Sequence, residues 1–239
     1  MAADLELVAE VRRALAAAGD PDRAAQQRAY MRSALPYYGV TSPQLRAILR
    51  PLLADRFPPD RTVWLDTVGA LWDDATHRED RYAALALARH RRAAGWQDLA
   101  LLGLLRHLVV TGAWWDLVDE IAAHLVGGVL ARYRPVVTPV VREWAVDEDL
   151  WLRRTAVLCQ LRHREDTDTT LLHDVVAATV DDPSFWLRKA TGWALRQYAC
   201  TDPEWVRAEV ERLGPRLSPL SRREALKHLP PPQVPTPGR

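Results

Sequence analysis

The chain has 239 residues, 48% of them hydrophobic, which is enough to bury a sizeable core. Its 32 Lys and Arg balance 31 Asp and Glu to a formal charge of +1, so bulk charge alone does not call for a polyanionic partner. The longest apolar runs fall short of the roughly 18 residues that a membrane span needs, and the N-terminus carries Asp4 and Glu6 where a signal peptide would be basic. The sequence therefore predicts a soluble cytoplasmic protein without a membrane partner.

The cysteines and histidines give little support to a metal site. Cys159 and Cys200 lie far apart in apolar helical sequence, which favours two small core residues over a disulfide. The seven histidines include no pair at ligand spacing and no HExxH motif. We expect neither a metal nor a cofactor.

Apolar residues recur at positions i, i+3, i+4 and i+7 along the chain, which predicts an all-α fold. From the N-terminus, residues 5–17 form an amphipathic helix, and a second helix begins near Pro21 and carries Tyr30. Five helix starts are marked by Asp or Ser directly before Pro, an N-cap followed by a proline at the first helical position. These lie at residues 20–21, 42–43, 182–183, 202–203 and 218–219.

An internal repeat organises the chain. WLRRTA at residues 151–156 returns 35 residues later as WLRKAT at 186–191, and WDLVDE begins 36 residues before the first copy. Two helices per repeat at this period are typical of a helical solenoid. We therefore predict one solenoid domain of about six repeats over residues 1–229. The remaining residues, 230–239, are rich in proline and poor in hydrophobes, which predicts a disordered tail.

One column of the repeat register is basic and is interrupted only at Val118. It reads Arg46, Arg81, Val118, Arg154, Lys189 and Arg223. Equivalent positions of stacked repeats share a surface, so the column could follow a phosphate backbone. It could equally form salt bridges between adjacent repeats. Both interpretations stay open at this point.

Four residues from three consecutive repeats form the candidate site: Trp115, Asp119, Arg154 and Trp193. Asp119 and Trp193 both break the pattern of their columns, as functional residues often do. Two indole faces favour a cation or a sugar edge, and a carboxylate opposes positive charge developing at an anomeric carbon. An arginine fork binds phosphate. A cationic alkylated purine in DNA would suit all of these groups, whereas a capping acid and packing tryptophans, the role expected of Trp114, are the plainer alternative.

Five motifs carry a specific resemblance over about residues 30–229. They are AYMRSALPYYGVTSPQLR, TGAWWDLVDEIAAHL, DLWLRRTAVL, FWLRKATGWALRQYA and LSPLSRREALKHL. In this order and spacing they resemble the AlkD-type DNA alkylation repair family, bacterial DNA glycosylases built from HEAT-like helical repeats. The resemblance implies a monomeric HEAT-like solenoid whose concave face binds duplex DNA, and an enzyme of base excision repair that hydrolyses the bond to 3-methyladenine or 7-methylguanine without a cofactor.

The resemblance also implies roles for single residues. Asp119 would be the catalytic carboxylate, and Trp115 and Trp193 would flank the lesion nucleotide. Contacts to the DNA backbone would come from Arg154, Lys189, Arg196 and Tyr30. Two other classes of function remain as alternatives: a non-catalytic repeat protein that binds DNA or a protein partner along the basic column, and a protein–protein scaffold to which that column is irrelevant.

Overall fold

The computed structural model describes residues 2–229, and the predicted tail at 230–239 lies outside them. Within the described residues the chain forms fourteen α-helices and no strand, so the all-α prediction is confirmed. The chain divides into two compact units, the first ending at Leu104 and the second beginning at Leu105. The units are described separately, and the single domain expected for residues 1–229 stays a prediction.

The first unit contains five complete helices. They are α1 (Leu5–Ala17), α2 (Pro21–Met31), α3 (Ser42–Asp55), α4 (Arg61–Asp73) and α5 (Arg78–Ala88), followed by short 3₁₀ turns at Arg91–Trp96 and Leu99–Leu101. Helix α1 has the bounds that the hydrophobic pattern predicts, because its apolar stripe is buried. Leu7 and Leu15 on that stripe are fully enclosed.

The second unit carries the remaining helices. They are α6 (Leu102–Gly112), within which the division falls, α7 (Trp115–Glu120), α8 (Gly127–Arg132), α9 (Arg134–Ala145), α10 (Leu150–Leu158), α11 (Thr169–Thr179), α12 (Phe185–Tyr198), α13 (Pro203–Leu213) and α14 (Pro219–Leu226). A π-helical stretch at Ile121–Val126 joins α7 to α8, and 3₁₀ turns lie at Arg164–Asp166 and Gly214–Arg216.

Helices that the repeat makes equivalent pack against one another in the second unit. Helix α10 contacts α7 on one side and α12 on the other, and α12 contacts α14. A second layer forms where α9 packs against α11. This stacking of equivalent helices is that of a helical repeat array, because each helix buries its apolar face against the same helix of the next repeat.

Most of the predicted helix starts hold, and two shift. Helices α2, α13 and α14 begin at the proline after the capping Asp or Ser, as expected. Helix α3 is instead capped by Thr41 in a capping box with Gln44. The start expected at residues 182–183 is wrong: α12 begins at Phe185 and is capped by Ser184, whose N–H is accepted by the Asp182 carboxylate.

The two cysteines differ from each other in exposure. Cys159 is fully buried, and this burial raises the pKa of its thiol to about 12. Cys200 is exposed, so the prediction that both are core residues is wrong for Cys200. Across residues 2–229, no helix combines the length and hydrophobicity that crossing a bilayer requires.

Candidate active site

A groove of about 620 Å³ in the second unit brings the three predicted catalytic residues together. Trp115 and Asp119 reach it from α7, and Trp193 reaches it from α12. The full lining consists of Trp115, Asp116, Asp119, Glu120, Ala123, His124, Leu161, Arg162, His163, Arg164, Glu165, Asp166, Trp193 and Gln197. Asp116, which is not among the predicted site residues, also lines the groove.

Local backbone geometry sets the start of α7. Ala113 has a φ of 39°, a left-handed backbone conformation that residues other than glycine rarely adopt. Its N–H donates to the carbonyl oxygen of Val109 and so satisfies a carbonyl near the end of α6. The turn ends α6 and allows α7 to begin at Trp115. Residues i and i+4 share a helical face, so Asp119 lies one turn beyond Trp115 on the same side.

A π-helical stretch directly follows α7, the helix that carries Asp119. Residues Ile121–Val126 form hydrogen bonds one residue wider than those of an α-helix, a geometry frequent at functional sites. Gly127 follows at a close approach to α10, where a Cβ atom would stand 2.3 Å from the carbonyl oxygen of Cys159. Only glycine fits there, so the start of α8, which the π-helical stretch joins to α7, packs closely against the end of α10.

Asp119 is held by Arg154 through two hydrogen bonds. The Nε and Nη2 groups donate to the two carboxylate oxygens at 2.7 and 2.8 Å, a bidentate arrangement. A third donor, Nη1, is accepted by the carbonyl oxygen of Trp186 at 2.5 Å. The Arg154 side chain is 5% exposed and that of Asp119 is 14% exposed. Arg154 is not among the residues that line the groove, and its predicted contact with DNA stays a prediction.

Burial dominates the acid–base behaviour of Asp119. Desolvation raises the pKa of its carboxyl above the ordinary value, although the hydrogen bonds from Arg154 and its positive charge oppose the shift. Asp116 nearby adds a smaller effect in the raising direction. The carboxylate is therefore a desolvated anion whose charge depends on its arginine partner.

Five tryptophans of the second unit fall into two groups. Trp114, Trp151 and Trp186 pack together, with ring centroids 5.3–6.0 Å apart, as the packing role expected of Trp114 requires. Trp115 and Trp193 instead line the groove half-buried, and among residues 2–229 neither stacks on another ring. Their indole faces are thus left to a ligand.

Close packing of α12 on α14 places Trp193. A Cβ atom at the preceding residue, Gly192, would stand 2.5 Å from the Cβ of Glu224 and 2.9 Å from the carbonyl oxygen of Ser221. The absence of a side chain at Gly192 allows this approach.

The other predicted DNA contacts lie apart from the groove lining. Lys189 and Arg196 both pair with Glu224, Lys189 at 3.0 Å. Tyr30 lies in the first unit near the end of α2 and is 78% exposed. In the basic column, Arg154 and Lys189 each pair with an acid of a neighbouring repeat, which agrees with the salt-bridge interpretation at these two positions.

One wall of the groove was missed by the sequence analysis. Residues 162–166, hereafter the wall loop, line the groove without interruption between α10 and α11. A run of five ionisable residues, RHRED, was the available signal. Arg164 in this loop has a φ of 51°, a strained left-handed conformation.

Arg134 and His163 hold the wall loop in place. Arg134 donates to the carbonyl oxygen of Asp166 at 2.7 Å and to Nδ1 of His163 at 3.5 Å. Nε2 of His163 lies 3.0 Å from the carbonyl oxygen of Gly127. A carbonyl can only accept and a guanidinium can only donate, so these partners assign the proton to Nε2 and make His163 neutral. Burial, which lowers the pKa of His163, favours the same state.

The described residues contain no group of three or more His, Cys, Asp or Glu side chains arranged to hold a metal ion. The chemistry that the groove can support is electrostatic. It offers a desolvated carboxylate, two indole faces and a rim that carries both signs of charge.

Comparison with known proteins shows the family of this chain. The family model of the DNA alkylation repair enzymes matches residues 11–229. No curated protein is significantly similar in sequence. A solved structure described as a predicted DNA alkylation repair enzyme from Enterococcus faecalis is similar, with a TM-score of 0.79 and 29% identity over 90% of this chain and 98% of that chain. The chain therefore belongs to the family of DNA alkylation repair enzymes.

Proposed function

We propose that the protein is a DNA glycosylase that releases positively charged N3- or N7-alkylated purines from duplex DNA. The observation that carries the proposal is the meeting of Asp119 with Trp115 and Trp193 in one groove. An anionic group and two aromatic side chains in one groove suit a positively charged reaction centre. Membership of a family of DNA alkylation repair enzymes supports the same class of substrate.

The positive charge of the lesion reduces the catalysis that the protein must provide. An N3- or N7-alkylated purine already carries positive charge, so it leaves as a neutral base when its bond to C1′ breaks. Protonation of the base is unnecessary, and the demand falls on the sugar, which becomes an oxocarbenium-like cation. Asp119 stabilises this cation and positions a water molecule for attack at C1′. Burial strengthens the attraction, because the carboxylate is 14% exposed and poorly screened by solvent.

Arg154 acts in this proposal as the group that prepares Asp119. Its bidentate hydrogen bonds fix the carboxylate plane and favour the anion against the effect of desolvation. A preorganised charge need not reorient during the reaction, which is the main source of electrostatic catalysis.

Trp115 and Trp193 bind the lesion nucleotide in the groove. An indole face attracts a nearby cation by about 0.5–2 kcal/mol, depending on how fully the pair is desolvated. Many glycosylases extrude the damaged base into a deep pocket. We propose that this groove recognises the nucleotide from its sugar and backbone side instead.

A second function, a non-catalytic repeat protein that binds DNA or a protein partner, is favoured by a different observation. Both oxygens of Asp119 are hydrogen-bonded to Arg154, as expected of an acid that only joins two repeats. This alternative predicts salt-dependent binding to DNA and no release of bases.

Release of bases separates the two functions. Wild-type protein incubated with methylated duplex DNA is expected to release N3-methyladenine and N7-methylguanine, which chromatography of the soluble fraction identifies. Heat-denatured protein provides the control for spontaneous depurination. Release no faster than in this control would exclude the glycosylase and leave the binding protein.

A further inference from the structure

The predicted DNA-binding cations of the second unit already pair with carboxylates of the protein. Arg154 pairs with Asp119, and Lys189 pairs with Glu224. Arg196 is bonded to the same Glu224 carboxylate. A phosphate that recruits any of these groups must displace a carboxylate, so the net gain in charge pairing is small.

Two other arginines, which line the groove, do not pair with a carboxylate of the described residues. Arg162 and Arg164 lie on the wall loop, both are exposed, and within residues 2–229 neither guanidinium has a hydrogen bond or an ion pair. They also line the same groove as Asp119. A phosphate that binds them gains charge-assisted hydrogen bonds and displaces no carboxylate.

Hydrogen bonds hold the backbone of the wall loop in a fixed conformation. Arg134 binds the backbone of Asp166 and the ring of His163, which in turn bonds to Gly127. Gln160 ties the loop to the start of α11 by exchanging hydrogen bonds with the backbone of Asp168. These contacts keep the backbone in place and reduce the entropy lost when the loop binds a ligand.

The same loop carries its own opposing charges. Glu165 and Asp166 directly follow the arginines, are exposed and also line the groove. They repel a phosphate, so the binding surface is confined to the arginine end of the loop. The arginines should therefore strengthen binding to DNA, and the two acids should weaken it.

We infer that the wall loop is a phosphate clamp for the backbone of duplex DNA, with Arg162 and Arg164 as the binding groups and Glu165 and Asp166 setting where the phosphates lie. The inference rests on the proposed function, because it takes DNA to be the ligand of the groove. It assigns the main phosphate contacts of the groove to residues outside the set expected from the sequence.

Equilibrium binding to an unmodified duplex, measured by fluorescence anisotropy at several salt concentrations, tests the clamp. The double variant Arg162→Gln, Arg164→Gln should bind more weakly, and the slope of log K against log salt should become shallower by about 2, since each lost phosphate contact removes about 0.9. The double variant Glu165→Gln, Asp166→Asn should bind more tightly. Arg142→Gln is the matched control, since Arg142 is 46% exposed, pairs with Asp174 and lies outside the groove lining.

An unchanged affinity and slope in the arginine double variant would overturn the clamp. Because unmodified DNA is used, this result is independent of catalysis. If the slope falls as expected but wild-type protein releases no base, the clamp stands and the glycosylase fails. If bases are released while the arginine variant binds like wild type, the glycosylase stands and the clamp fails.

Discussion

Two ion pairs of the second unit each join a residue of the basic column to an acid of an adjacent repeat, and they differ in burial. Arg154 pairs with Asp119, 35 residues before it, whereas Lys189 pairs with Glu224, 35 residues after it. Arg154 is 5% exposed, whereas Lys189 is 39% exposed. Burial raises the pKa of Asp119, while the hydrogen bond from Lys189 lowers that of Glu224. Ion pairs between adjacent repeats are thus a common feature of this unit, and the Arg154–Asp119 pair differs in being buried and in having Asp119 in a groove that Trp115 and Trp193 also line.

Removal of the cation should distinguish the pairs most strongly. Arg154→Met leaves Asp119 as a buried acid without its partner, which costs about 3–5 kcal/mol in the free energy of unfolding. Lys189→Met should cost less than about 1 kcal/mol, because the pair is more exposed and Glu224 keeps Arg196. Urea unfolding monitored by circular dichroism measures both. Equal losses for the two variants would show that burial does not separate the pairs.

A pair of glycines tests how closely the repeats must pack around Glu224. Gly192→Ala forces a methyl group to within 2.5 Å of the Glu224 Cβ, and overpacking of this kind costs about 1–3 kcal/mol. Gly128→Ala meets nothing within 4 Å, so helix propensity should stabilise the protein by up to about 1 kcal/mol. In thermal unfolding, the midpoint temperature should fall below that of wild type for Gly192→Ala and rise above it for Gly128→Ala. A stabilising Gly192→Ala would contradict the close packing of α12 on α14.

The opposite pKa directions predict separate effects of pH. In the proposed mechanism excision needs ionised Asp119. Because the pKa of Asp119 is raised, the excision rate should begin to fall, as the pH is lowered, at a higher pH than it would with an ordinary aspartate. Glu224 has a lowered pKa, so its contribution to stability is present above the unfolded pKa and is lost as the pH falls through the folded one. A pH–rate profile and urea unfolding at several pH values measure these effects. An excision rate that stays flat down to the ordinary aspartate range would contradict the assignment to Asp119.

Periodicity and capping chemistry made much of the fold predictable. The all-α class follows from apolar spacing, and the start of α13 follows from Asp202 before Pro203. The shifted start of α12 has a physical reason. The Asp182 carboxylate accepts a hydrogen bond from the N–H of Ser184 and so forms a turn before the helix. Ser184 then serves as the N-cap of α12.

The candidate site was predictable in part. The pattern breaks at Asp119 and Trp193 led to residues that the fold brings into one groove. The bidentate bond between Arg154 and Asp119 did not follow from the sequence, because the register shows which columns are adjacent but not which charges meet. The wall loop was missed because the repeat register aligns helices, and residues 162–166 lie in the connection between α10 and α11.

The most direct test of the account compares two isosteric amides at these positions, Asp119→Asn and Glu224→Gln, in single-turnover release of N7-methylguanine from duplex DNA. Circular dichroism first establishes that both variants are folded. Loss of the negative charge at Asp119 should lower the rate constant by about 100-fold or more, the usual cost of removing a preorganised electrostatic contact. The change at Glu224, a paired acid outside the groove lining, should leave the rate close to that of wild type. Release by Asp119→Asn at the wild-type rate would contradict the central claim.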